Sequence, residues 1–211
     1  MRRERLIDEL ASGLEPVRRL PPAPWLASAW LAFGWLSATA LTLGAAPLRP
    51  GVVAEIAGSV RFDLELLAGL VTGVAAIVSA GALAYTREAS WRIVGAPLAA
   101  LALWAALVAL RLFDPAIESG TPGERALCIG EIFVYSLPAL LLGLTLARRL
   151  APLERPWCGA LLALAAAAIP ALLMHLACTS EPWHVLRLHL APLVALAALG
   201  ALAGRLVLRP L

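Results

Sequence analysis

"PWCGALLALAAAAIPALLMHLACTS", residues 156–180, runs for twenty-five residues without a charged side chain. At a helical rise of about 1.5 Å per residue, this is more than enough to cross the roughly 30 Å hydrocarbon core of a bilayer. Its unbroken Leu and Ala lack the apolar/polar alternation of a membrane strand, so the stretch reads as a transmembrane helix. Five further runs share this character: Trp25 to Ala46, Leu66 to Thr86, Ile93 to Leu110, Ile132 to Ala147 and Leu188 to Gly204. The shorter ones reach spanning length by taking in an end residue such as Glu131 or Arg187. Whole-chain composition agrees, with 61% hydrophobic residues and only 15% charged ones and a mean hydropathy of +0.85. Such values lie outside the range of a water-soluble domain. The fold class expected is all-α, an integral membrane bundle of six transmembrane helices (25–211) behind a short amphipathic helix in an N-terminal tail (1–24).

Six spans place both termini on one side. The tail, the Tyr85 to Arg92 loop, the Arg148 to Pro156 loop and the C-terminus hold Arg2, Arg3, Arg5, Arg18, Arg19, Arg87, Arg92, Arg148, Arg149, Arg155, Arg205 and Arg209. The opposite side holds Arg49, Arg61, Arg111, Arg125 and Arg187 against Glu55, Asp63, Glu65, Asp114, Glu118, Glu124 and Glu181. The excess of arginine sets the first side in the cytoplasm. No small-residue cleavage site follows the first apolar run, so the first span is expected to stay in the membrane.

That orientation puts Cys128, before span four, and Cys178, after span five, outside the cytoplasm. Cys158, twenty residues before Cys178 in the same span, lies about 30 Å away and cannot pair with it within one subunit. Cys128 and Cys178 sit near the external ends of consecutive antiparallel helices, and a bridge between them is feasible without being implied. All three histidines crowd beside them, in "MHLACTSEPWHVLRLH", residues 174–189. His175 is three residues before Cys178, which on a continuous helix gives one face. His184 and His189 follow across a short loop, and Glu131 is one turn from Cys128. Thiolates and imidazoles at this density suit zinc or another thiophilic ion. Histidines at an interfacial helix end, bonded to carbonyls, headgroups or water, account for the same pattern, and Trp183 fits that reading.

The tail "MRRERLIDELASGLEPVRRLPPAP" is the only sizeable polar segment. Leu6, Ile7, Leu10 and Leu14 share an arc of about 100° at helical spacing, with Glu4, Arg5, Asp8, Glu9 and Ser12 opposite. Pro16 ends or kinks this helix, and Pro21, Pro22 and Pro24 stiffen the approach to the membrane. A helix lying flat on the inner leaflet explains the stripe. The acids on the polar face suit instead a groove in a protein partner, since an anionic leaflet prefers a uniformly basic face.

With these features the chain resembles the NrsF family (negative regulator of sigma F), membrane anti-sigma factors of bacteria. The likeness rests on Leu6, Leu10, Leu14, Pro16, Val17 and Leu20 in the tail, on the six spans, and on Cys128, Cys178, Pro182, His184 and His189. The resemblance implies that the tail holds an extracytoplasmic-function sigma factor at the bacterial inner membrane. It also implies that Cys128 and Cys178 are a sensor pair for oxidants or heavy metals in a stress response, with no catalytic residue and no direct contact with nucleic acid. Cys158 matches no part of that pattern. Gly69, Gly73 and Gly81 in span two, and Pro97, Pro138, Pro170 and Pro192, offer close contacts and kinks to a bundle that must rearrange. A periplasm-facing thiol/disulfide oxidoreductase is the alternative, weakened by the lack of an external CxxC pair. Two-haem electron transfer is disfavoured because the histidines gather at one surface. A transporter is disfavoured because charge scarcely enters the spans.

Overall fold

The computed structural model describes residues 2–12, 22–45, 48–85, 88–113 and 127–209. Arg18, Arg19, Arg87, Asp114, Glu118, Glu124 and Arg125 therefore lie outside the described residues, as do Leu14, Pro16, Val17 and Leu20 of the tail motif. The described residues are helical and contain no strand. In chain order the helices are α1 (Arg2–Ser12), α2 (Ala23–Ala45), α3 (Val52–Gly58), α4 (Val60–Ala84), α5 (Trp91–Leu110), α6 (Cys128–Leu150) and α7 (Arg155–Ala177). The last, α8 (Pro182–Val207), contains a wide turn near its start. Six of these, α2 and α4 to α8, are long and apolar enough to cross a membrane, and the protein is a membrane protein.

Amphipathic α1 leaves Leu6 and Ile7 more than half exposed, as expected of an apolar stripe with no partner against it. Leu10 belongs to the same helix.

The opening stretch of sequence becomes the axis of the bundle. α7 packs against α2, α4, α6 and α8, and nearly all of it is buried. Lipid tails are as apolar as leucine, so burial alone does not draw helices together in a membrane; close van der Waals packing does, and small side chains permit it. The run Ala165 to Ala168 supplies such a surface, with each residue at most 1% exposed. Along the α7–α8 seam the approach is closer still. A Cβ added at Gly159 would meet the carbonyl oxygen of Gly200 and come within 2.8 Å of the Cα of Gly204. Of the span-two glycines, Gly69 receives Leu172 and Trp104 and Gly73 receives Ala168, whereas a Cβ added at Gly81 would meet nothing within 4 Å. On the other flank, Trp30 of α2 donates its indole N–H to the carbonyl of Ala139 on α6, at 2.8 Å.

The helix starts differ from the charge-free runs in an instructive way. α4 begins at Val60, not Leu66, because Ser59 caps it, its hydroxyl accepting from the Phe62 N–H. Capping outweighs the charges of Arg61, Asp63 and Glu65, and these residues are drawn into the helix.

Candidate functional site

Glu181 and Pro182 start α8. The Glu181 carboxylate accepts from the backbone N–H groups of Trp183, at 2.9 Å, and of His184, while a proline at the first helical position gives up no needed donor. From Val185 to Leu190 the helix then widens into a π turn. Pro192 follows directly; it has no N–H for the carbonyl of Leu188, and its ring crowds that carbonyl. The widening matters for side-chain direction. Residues five apart on an α-helix point about 140° away from each other, but a π turn, bonded i to i+5, stacks them. His184 and His189 are five apart, and their rings meet edge to face with centroids 5.1 Å apart.

Against this pair stand the two cysteines. Cys128 is the first residue of α6 and Cys178 the residue just past the end of α7. Their Sγ atoms are 2.7 Å apart, and the Nε2 of His184 is 3.6 Å from the Sγ of Cys128. One ligand atom from each of Cys128, Cys178, His184 and His189 falls within 4.8 Å of all the others. Both thiols and His189 are buried, and His184 is half-buried. His189 is fully enclosed, yet neither ring nitrogen has a hydrogen-bond partner.

The set has the right chemistry for a thiophilic ion, two sulfurs and two imidazole nitrogens. Tetrahedral bonds of about 2.3 Å to sulfur would set the two sulfurs roughly 3.8 Å apart. Holding such an ion therefore requires the cysteines to part by about 1 Å from where they stand.

Two expected contributors fall elsewhere. Glu131 is outside the four-residue group. His175 is likewise outside that group, with Cys178 the residue just past the end of its helix. Instead the Nε2 of His175 lies 3.0 Å from the Oε2 of Glu65, which also receives the Arg111 guanidinium at 3.2 Å. Glu65 and His175 are fully buried and Arg111 nearly so. Glu65 and Arg111 were expected in external loops; they form instead an internal charged cluster that sequence reasoning missed. A usable signal existed, since opposite charges flank the same ends of consecutive spans two and three. Arg49 and Glu55 make a second pair nearby, with the Arg49 guanidinium 5.4 Å from the centre of the Phe62 ring.

Cys158 sits at the far end of α7, buried, with its Sγ 3.8 Å from the Ala80 carbonyl oxygen. It lines a small apolar cavity with Leu26, Trp30, Tyr85 and Leu150. That cavity lies at the end where α2 begins and α4 and α6 finish, so the thiol–imidazole group is at the opposite end of the bundle from the start of α2.

The sequence model of the NrsF family, described as negative regulator of sigma F, matches residues 10–209. The chain belongs to the NrsF family. The match takes in all six spans, both cysteines of the site and His184 and His189. The NrsF description names a sigma factor as what is regulated, and the regulation is negative. No curated protein and no solved structure matches the chain.

Proposed function

We propose that this protein is an anti-sigma factor of the bacterial inner membrane. Its residues 1–24 hold an extracytoplasmic-function sigma factor, and it lets go when Cys128 and Cys178 meet an oxidant or a thiophilic metal ion outside the cytoplasm. The observation that carries the reading is the convergence of Cys128, Cys178, His184 and His189 at the end of the bundle away from the start of α2. The arginine excess on the α2-start side supports an orientation with both termini in the cytoplasm. The exposed Leu6 and Ile7 on a helix of mixed charge support docking of α1 in a groove of the sigma factor.

Two chemistries act on the same pair. A peroxide-class oxidant takes two electrons and two protons from the thiols and leaves as water, and a disulfide draws the sulfurs together. A thiophilic cation displaces the two thiol protons and draws the sulfurs apart to metal-bridged spacing, with the imidazoles of His184 and His189 completing its shell. Either event changes how the start of α6 sits against the junction of α7 and α8, and a signal acts only through such a difference between two arrangements. Burial of both sulfurs weighs against a thiol/disulfide oxidoreductase, whose attacking thiolate has to reach a protein substrate.

The test is co-purification of the full-length protein with its sigma factor, before and after cells meet cadmium or peroxide. Wild type should lose the partner on exposure. Cys128→Ser and Cys178→Ser should keep it. A normal response from the double serine variant would refute the sensor role, and failure to retain a sigma factor before exposure would refute the anti-sigma role.

A further inference from the structure

Glu65, Arg111 and His175 lie outside the thiol–imidazole group, yet all three bury ionisable side chains in the bundle. Removing two opposite charges from water is costly, and well-packed apolar residues of similar volume commonly serve stability as well or better. Their placement is more informative than their energy. His175 is one ring away from the thiol–imidazole group: its imidazole meets that of His189 edge-on, with centroids 6.2 Å apart at 84°. Its other contacts go inward. The ring stacks on Phe62 of α4 at 5.1 Å and meets Trp104 of α5 edge-on at 6.4 Å, while Nε2 faces Glu65 of α4. Glu65 in turn holds Arg111, in the short 3₁₀ turn that ends α5.

The unsatisfied polar atoms gather here too. Among the described residues, buried atoms without a partner include the Oε1 of Glu65, the Nδ1 of His175, both ring nitrogens of His189, the Nε1 of Trp104 and the Nε of Arg49. Leaving such an atom unsatisfied is unfavourable. Such a patch has more than one way of pairing its groups, unlike the close-packed apolar seam between α7 and α8.

We infer that Glu65, Arg111 and His175 are positioning residues that carry a change at Cys128, Cys178, His184 and His189 into the body of the bundle. The inference rests on the sensor reading of that group. The cysteines and outer histidines come from α6, the α7–α8 junction and α8; the inner three come from α4, α5 and α7. When an ion engages His189, its ring can no longer rest freely against His175. His175 is tied to Glu65, so the displacement passes to α4, whose 25 residues form a rod of about 37 Å reaching the other end of the bundle. There α4 lines the cavity shared with the first turns of α2, the helix that follows the tail.

The experiment separates binding from release. Full-length protein carrying its sigma factor is titrated with Cd²⁺ in detergent, reading thiolate–cadmium absorption for binding and loss of the co-purified partner for release. His175→Phe keeps the ring contacts and removes the bond to Glu65. It should bind Cd²⁺ within about twofold of wild type but need about five- to thirtyfold more to release the partner, the upper part of the range for residues that modulate coupling without touching the ligand. His175→Gln, whose amide can donate to Glu65 but which has no ring against His189, should release no more readily than His175→Phe. Release like wild type by His175→Phe would overturn the inference, and so would equal loss of binding and release, which would make His175 part of the binding group. If His175→Phe does not accumulate in membranes, the apolar pair Glu65→Met with Arg111→Met, which removes the acceptor for His175, is judged by the same two readouts. Wild type that binds Cd²⁺ and never releases the partner would instead overturn the sensor reading, and this inference with it.

Discussion

Gly159→Ala adds one methyl group at the tightest helix contact in the bundle. The new Cβ would lie 2.8 Å from the Cα of Gly204 and closer still to the Gly200 carbonyl oxygen, where carbon atoms ordinarily approach to about 3.5–4.0 Å. The obstacle is backbone on both counts, so no side chain can turn aside, and α7 and α8 must part by about 1 Å. Overpacking of this kind costs about 1–3 kcal/mol. An alanine also gains helix propensity over glycine, by about 0.8–1 kcal/mol. Gly81→Ala is the matched control, since it makes the same gain and its Cβ meets nothing within 4 Å. The gap between the two variants therefore isolates the steric term and should be about 1–3 kcal/mol, Gly159→Ala being the less stable. Equilibrium unfolding of the purified protein in mixed dodecylmaltoside and SDS micelles reads it directly. Equal stabilities, within about 0.5 kcal/mol, would refute the described contact, and with it the seam that sets Cys178, His184 and His189 relative to one another.

Leu10→Arg combined with Leu14→Arg should leave membrane insertion intact and free the sigma factor, read as partner lost from the membrane fraction with an unchanged level of this protein. His184→Ala removes a half-buried ring at the site and should lower Cd²⁺ affinity by at least about tenfold, the lower end of what even an outer-shell partner is worth, in a titration of the thiolate–cadmium absorption. His189→Ala should lower it as well, and an affinity unchanged in both variants would remove the imidazoles from the ligand set.

The spans were legible because a charge-free run of Leu and Ala has few structural alternatives. The starts of the spans were less so. Counting stopped at Glu65, whereas Ser59 caps α4 one turn and a half earlier, and the helix takes in Arg61, Asp63 and Glu65, of which Glu65 is buried in the bundle. What that hid is tertiary. Glu65 meets Arg111 and His175 across 46 and 110 residues of chain, a pairing that no local pattern encodes. Cys128, Cys178, His184 and His189 were legible as a neighbourhood from their density and the common end of their helices. Their geometry was not, since it depends on a π turn that aligns residues five apart and on an α7 that ends just before Cys178. Among the glycines, Gly69 and Gly73 do receive neighbours, but the closest seam lies at Gly159, Gly200 and Gly204, where small residues on two helices had to be matched against each other.

Sidedness tests the account most directly. Cys128 and Cys178 are too buried to report it themselves, being 1% and 0% exposed. Trp183, beside them and half exposed, can report in their place, as Trp183→Cys in a chain with its three native cysteines replaced by serine. A membrane-impermeant maleimide applied to intact spheroplasts should label Trp183→Cys fully, and should label Ser12→Cys in the same background only after permeabilisation. Labelling of Ser12→Cys from outside, with Trp183→Cys protected until the membrane is opened, would turn the molecule over and contradict a sensor outside the cell governing a partner within.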